Sequence, residues 1–158
     1  MILYFAYGAN LNIDNMEYRC PDARPLCTMN LPDWRLVFRG VADIERSKGS
    51  SVSGLLWEIT DECEQALDIF EGFPTLYRKE YFEIKLSGAM QRDFGKTATV
   101  MLYAMNRTGY QEPSLPYYEC ILDGYKQNDM VLKPLKEALE HSWLNASKFT
   151  KWVSKQWD

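Results

Sequence analysis

The sequence predicts an α+β domain built on a mostly antiparallel or mixed sheet that could curl into a barrel. Three observations predict it. Strand-like runs come first, helical runs are inserted among them, and two helical patterns close the chain, without regular βαβ alternation. The chain has 158 residues, which suits one domain with a proper core and is short for two. Apolar residues make up 46% and charged residues 25%, the mix of an ordinary globular protein.

The first element is Ile2-Leu3-Tyr4-Phe5-Ala6, an apolar run of common strand length. It leads into Tyr7-Gly8-Ala9-Asn10, where Gly8 and Asn10 tolerate positive φ and predict a sharp turn. Asn12 or Asp14 can cap a short helix through Met16 to Arg19, which Pro21 stops. Asp22 to Pro32 holds two prolines and reads as a connector. Trp34 to Arg39 alternates as a strand ending at Gly40. Asp43 to Ser51 is polar and rich in Ser and Gly, so it reads as an exposed loop. Val52 to Ile59 is a further strand, and Gly54 inside it marks a bulge or a close approach.

Asp61 with Glu64 resembles a helix N-terminus. Cys63, Ala66, Leu67 and Phe70 then form one apolar face, and Gly72 stands at the expected C′ position. Tyr77 to Leu86 and Thr97 to Met105 read as an antiparallel strand pair joined by the polar segment Ser87 to Lys96. Asn106 to Pro116 is a loop, and Tyr117 to Gln127 is helical despite Gly124. Leu132, Leu135, Leu139 and Trp143 give a last amphipathic helix, and the tail from Asn145 to Asp158 continues in helix-friendly residues.

Net charge is −4, with a pI near 5.1, which argues against a nucleic-acid surface or an anionic-membrane binder. No stretch approaches the length of a membrane span, and the apolar start lacks the basic region of a signal peptide. A cytoplasmic location with reduced thiols follows as the expectation. Cys20, Cys27, Cys63 and Cys120 show no C-x-x-C spacing, and with one histidine in the chain a zinc site is not expected. The aromatic content is 14%, including ten Tyr, which predicts tyrosines lining a polar cavity or its rim.

Two features can carry chemistry. Backbone N–H groups in the Tyr7–Asn10 turn can converge on an anion or a developing oxyanion; the plain alternative is a tight turn. Glu71 falls where the preceding helix ends. There a carboxylate faces the negative end of the helix dipole, at a cost of about 0.3–1 kcal/mol. Dipole and burial both push its pKa toward the range useful to a base near neutral pH; the alternative is an exposed glutamate tolerating a poor position. Asp68, one turn earlier, reads as solvated, and His141 as a partly exposed residue near a helix C-terminus. No Gly-x-Ser-x-Gly and no phosphate loop occurs.

Three stretches in register resemble the γ-glutamylcyclotransferase (AIG2-like) family. They are Tyr4 to Leu11, then Leu67-Asp68-Ile69-Phe70-Glu71-Gly72 with Tyr77-Arg78, then Pro113 to Tyr117 with Gly124. Met16 to Ala23 and Gly54-Leu55-Leu56-Trp57 are similar to its bacterial members, so the resemblance runs from Tyr4 to about Ser142. It implies a small mixed β-barrel with flanking helices over 1–142; the stretch 143–158 lies outside the resemblance and is expected, from its own residues, to be a helical extension packed on the same domain. It also implies release of 5-oxoproline from a γ-glutamyl amine or γ-glutamyl amino acid by attack of the substrate's own α-amine, without metal or cofactor. Glu71 would be the general acid/base. Tyr4, Phe5, Ala6, Tyr7, Gly8, Ala9, Asn10, Tyr77 and Tyr117 would bind a small γ-glutamyl substrate. Where the family has a serine in the turn, this chain has Ala9, which leaves a binding or regulatory module with the same pocket as the alternative, and a related lyase role as a third reading. The tail aromatics are expected to pack on the body, whereas an exposed Trp152/Trp157 face would mark a homodimer contact.

Overall fold

The computed structural model describes residues 2–146. Strand β1 (Ile2–Ala6) lies in the middle of a five-stranded sheet. It pairs antiparallel with β3 (Ala42–Ile59), from Ile2 opposite Ile59 to Ala6 opposite Leu55. On its other side it runs parallel to β5 (Thr97–Met105), with Leu3 opposite Val100. Edge strand β2 (Arg24–Phe38) flanks β3, and β4 (Tyr77–Lys85) flanks β5, giving the order β2-β3-β1-β5-β4. Such a central position explains why the opening run is apolar on both faces: Leu3, Tyr4, Phe5 and Ala6 are all buried.

The mixed α+β architecture is as expected, but the sheet is open rather than a closed barrel. Its end strands β2 and β4 face each other across a cavity of about 410 Å³ without a ladder between them. Strand β2 carries Pro25 and Pro32, which have no N–H to give, and its register breaks at both places, with Asp33 at φ 65°. An edge so interrupted cannot offer a continuous row of hydrogen bonds.

The expected connector Asp22–Pro32 and loop Asp43–Ser51 are instead strand. They pair in one long antiparallel ribbon, Arg24 opposite Glu58 through Phe38 opposite Ala42. Cross-strand contacts hold it: the Arg46 guanidinium lies 4.3 Å from the Trp34 ring, and Arg35 meets Glu45 at 2.9 Å.

The helices are α1 (Ile13–Arg19), α2 (Asp61–Glu71), α3 (Gly88–Phe94), α4 (Leu115–Gln127) and α5 (Lys133–Asn145). Asn12 caps α1 by accepting from the Asn15 N–H at 3.1 Å. The cap of α2 is Thr60 rather than Asp61, its hydroxyl accepting from the Cys63 N–H at 3.1 Å. Asp61, Glu62 and Glu64 then fill the first turn, where the dipole favours them. Gly72 ends α2 at φ 66°, and the Phe73 N–H reaches back to the Asp68 carbonyl at 2.9 Å, which closes the helix as its sequence position predicts.

Helix α3 fills the segment expected to be a plain connector between β4 and β5, which pair antiparallel as expected. Gly124 of α4 meets the Leu11–Asn12 backbone so closely that an added Cβ would lie 2.7 Å from the Leu11 carbonyl carbon. The first bend of the chain is therefore packed directly against α4. In α5, Leu135 and Ala138 are buried, whereas Trp143 is exposed rather than part of the apolar face. Of the expected extension over 143–158, residues 147–158, with Phe149, Trp152, Val153 and Trp157, lie outside the described residues.

The expectation of reduced thiols is corrected at one pair. Cys20 caps the end of α1, Cys63 sits in the first turn of α2, and their Cα atoms are 5.1 Å apart in a disulfide. Cys27 and Cys120 are free.

Candidate active site

A cavity of about 330 Å³ opens at one end of the sheet, where β1 runs into its bend. It is lined by Tyr4, Tyr7, Gly8, Ala9 and Asn10 from the opening segment, Val41 just before β3 and Ala42 at its start, and Phe70 and Glu71 from the end of α2. Leu76, Tyr77, Tyr103 and Tyr117 complete the wall. The sequence separation closes because β1 lies between β3 and β5, and α4 is packed on the bend.

The bend itself is a short 3-10 turn, Ala9–Leu11, in which the Leu11 N–H bonds the Gly8 carbonyl at 3.0 Å. This corrects the expected positive-φ turn, since Gly8 has φ −125°. Gly8 is required for space instead: an added Cβ would lie 3.0 Å from the Ala42 Cβ and 3.5 Å from the Tyr117 hydroxyl. The N–H groups that open a helical turn have no acceptor within it, so they are free to face a ligand. The Asn10 carbonyl is pinned by the Trp57 indole N–H at 3.1 Å.

Glu71 ends α2 and lines the cavity. Burial raises its pKa from the usual 4.5 to about 7, and the Arg19 guanidinium partly offsets the rise. Loss of water is the largest cause. Among the described residues no cation lies within ion-pair distance of Glu71.

The tyrosines fall into two groups. Tyr7 donates to the Tyr103 carbonyl at 2.5 Å, Tyr77 to the Ala42 carbonyl at 2.8 Å, and Tyr103 to the Asp68 carboxylate at 2.6 Å. Their protons are committed to the protein. Tyr4 instead accepts from the Asn10 side chain at 3.0 Å, and Tyr117 from the Ala42 N–H at 3.0 Å. Each keeps its own O–H to donate. Burial pushes all five hydroxyls above the ordinary tyrosine range, so they remain protonated at neutral pH.

Phe5 and Ala6, expected at the site, do not line the cavity. Side chains alternate along a strand, and Phe5 points the other way, edge-on to Phe82 at 6.2 Å and hard against Gly54. Asp68, expected to be solvated, holds the Tyr103 hydroxyl and accepts from Lys79 at 3.0 Å. Val41, Ala42, Phe70, Leu76 and Tyr103 were not anticipated. Only Phe70 carried a signal, and it pointed to the core. Partly exposed His141 stacks edge-on to Tyr110 at 4.6 Å, outside the cavity lining. No group of three or more metal-binding side chains occurs among the described residues.

Comparison with known proteins identifies the class as an enzyme of the cyclotransferase kind. Residues 4–123 match the family described as Gamma-glutamyl cyclotransferase, AIG2-like, and the chain belongs to that family. It is 32% identical over 143 residues to the Gamma-glutamylcyclotransferase of Homo sapiens, covering 83% of this chain and 73% of that protein. The mouse (Mus musculus) protein of the same name is 33% identical over 141 residues, covering 81% and 72%. A solved structure named Gamma-glutamyl cyclotransferase superposes with a TM-score of 0.71 at 26% identity, covering 98% of each chain.

Proposed function

We propose that the protein releases 5-oxoproline from a γ-glutamyl amine or γ-glutamyl amino acid. The substrate's α-amine attacks its own γ-carbonyl carbon, a five-membered lactam forms, and the bond from that carbon to the leaving amine breaks. Glu71 takes the proton from the α-ammonium and delivers it to the departing nitrogen. The observation that carries this reading is that Glu71, with its pKa raised to about 7, lines the same cavity as the Tyr7–Asn10 bend. A carboxyl of that pKa can serve as base and then as acid near neutrality.

The remaining groups have matching roles. The opening N–H groups of the bend hold the substrate carboxylate or the oxyanion, at about 3 kcal/mol per oxyanion donor. Tyr4 and Tyr117 donate hydroxyl hydrogens into the cavity. Phe70, Val41 and Leu76 provide apolar walls. An intramolecular attack needs chiefly a folded-back substrate held near its reactive geometry, which a cavity this size can enforce. Ala9 suits this arrangement because the bend acts through main-chain groups. The catalytic body is taken as residues 1–142, and α5 docks on it through buried Leu135 and Ala138. A Glu71 facing solvent would favour the non-catalytic module; its place in the cavity lining supports the enzyme reading instead.

The test is Glu71→Gln. The variant is expected to keep the wild-type circular dichroism spectrum and to lose 5-oxoproline release by about a thousandfold, within the range for a general acid/base. Screening γ-glutamyl amines, γ-glutamyl amino acids and glutathione identifies the leaving group. Wild-type turnover by Glu71→Gln on the best substrate overturns the assignment.

A further inference from the structure

Arg19, the last residue of α1, has no role in the reaction described above. Its side chain bridges two walls of the site. The guanidinium lies 3.4 Å from the centroid of the Phe70 ring, immediately before Glu71 in the chain. One of its nitrogens donates to the Asn10 side-chain oxygen, and the Asn10 amide in turn donates to the Tyr4 hydroxyl. A single side chain thus spans from the end of α2 to the bend and to a tyrosine that offers a free O–H. Among the described residues Arg19 has no carboxylate within ion-pair distance, although it is partly buried. A guanidinium in that position is stacked and hydrogen-bonded but not neutralised.

The ionisable groups that face Glu71 come from every surrounding element: Arg19 from α1, Tyr4 from β1, Tyr7 after it, Tyr77 from β4, Tyr103 from β5 and Tyr117 from α4. Asp43 of β3 acts on Tyr7 and Tyr77 behind them. The tyrosines are neutral near pH 7, so Arg19 is the cation of this set. We propose that Arg19 is the positioning residue of the site, locking the Asn10 bend against the end of α2 and favouring the ionised, proton-accepting state of Glu71. The proposal rests on the reading of Glu71 as the proton carrier.

The charge and the clamp can be read separately. In the substrate-free full chain, a carboxyl NMR titration follows Glu71 directly. Arg19→Gln is expected to raise its midpoint by about one unit, the size expected when a nearby opposite charge is lost. The acid limb of kcat/KM moves with it. Arg19→Lys keeps a charge but loses the planar fork, so its midpoint stays within about 0.3 unit of wild type while kcat falls about tenfold, with KM changed less than about threefold. An unmoved midpoint in Arg19→Gln overturns the proposal, as does an Arg19→Lys midpoint displaced as far as that of Arg19→Gln. Wild-type kcat in Arg19→Lys also overturns it. If Glu71→Gln turns over normally, the functional reading falls, while the titration still decides whether Arg19 controls the Glu71 charge.

Discussion

The chain builds two clusters around partly or fully buried carboxylates, and they are treated oppositely. On the β2–β3 ribbon, Asp43 is 2% exposed and saturated, accepting from Arg39 at 2.8 Å and from the Met105 N–H at 2.9 Å. Its neighbour Glu45 takes hydrogen bonds from Tyr110 and Arg35. Burial alone would raise the Glu45 pKa, but these partners outweigh it and hold the carboxyl below the ordinary range. At the end of α2, Glu71 meets burial without a paired cation, and its pKa rises to about 7. A carboxylate saturated by its partners serves the fold. An unsaturated one at the wall of a cavity can change state within the physiological range, which is what proton transfer needs.

Breaking the first cluster should give the largest stability effect. Asp43→Ala leaves Arg39 and the Met105 N–H without their shared acceptor, at a cost of about 3 kcal/mol. Urea denaturation near pH 7 measures it. A loss under about 1 kcal/mol would mean that the cluster is far less tightly coupled than its geometry indicates.

A smaller effect separates the clusters by pH. The folded-state pKa of Glu71, about 7, lies above the usual 4.5. The native protein therefore binds this proton more tightly than the unfolded chain does. That contribution to stability is fully present below about pH 4.5 and is lost as pH rises through about 7. Relative to Glu71→Gln, wild type should lose roughly 2–3 kcal/mol between pH 4.5 and pH 8. Paired denaturation curves at the two pH values check this. A difference between the two proteins that does not change with pH would place Glu71 in water.

The same contrast explains what was legible in the sequence. β1, the second half of β3, β4, β5 and the main helices could be read because each carries its own apolar periodicity. The first part of β2, up to Pro32, and the start of β3 could not. Their residues are polar, interrupted by Pro25 and Pro32, and become strand only by pairing with each other across the sheet. The open edge has the same origin, since nothing local says whether two distant strands will bond. At the site, Glu71 was legible as a charge in the wrong place on its helix, and the bend as a glycine–asparagine punctuation after a strand. The family resemblance supplied Tyr77 and Tyr117. It also swept in Phe5, which strand alternation turns away from the cavity, and Ala6, which does not line it. Ala42, Tyr103 and Arg19 arrive from remote segments with no local mark, and only the packing of β3, β5 and α1 around the bend brings them in.

The most direct test of Glu71 as proton carrier is the dependence of log kcat/KM on pH for the wild-type protein with a γ-glutamyl substrate. The account predicts a single acid limb with a midpoint at about 7, below which turnover falls tenfold per unit as the carboxyl takes up its proton. A limb near the ordinary carboxylate value of 4.5, or a flat profile from pH 5 to pH 8, would contradict it.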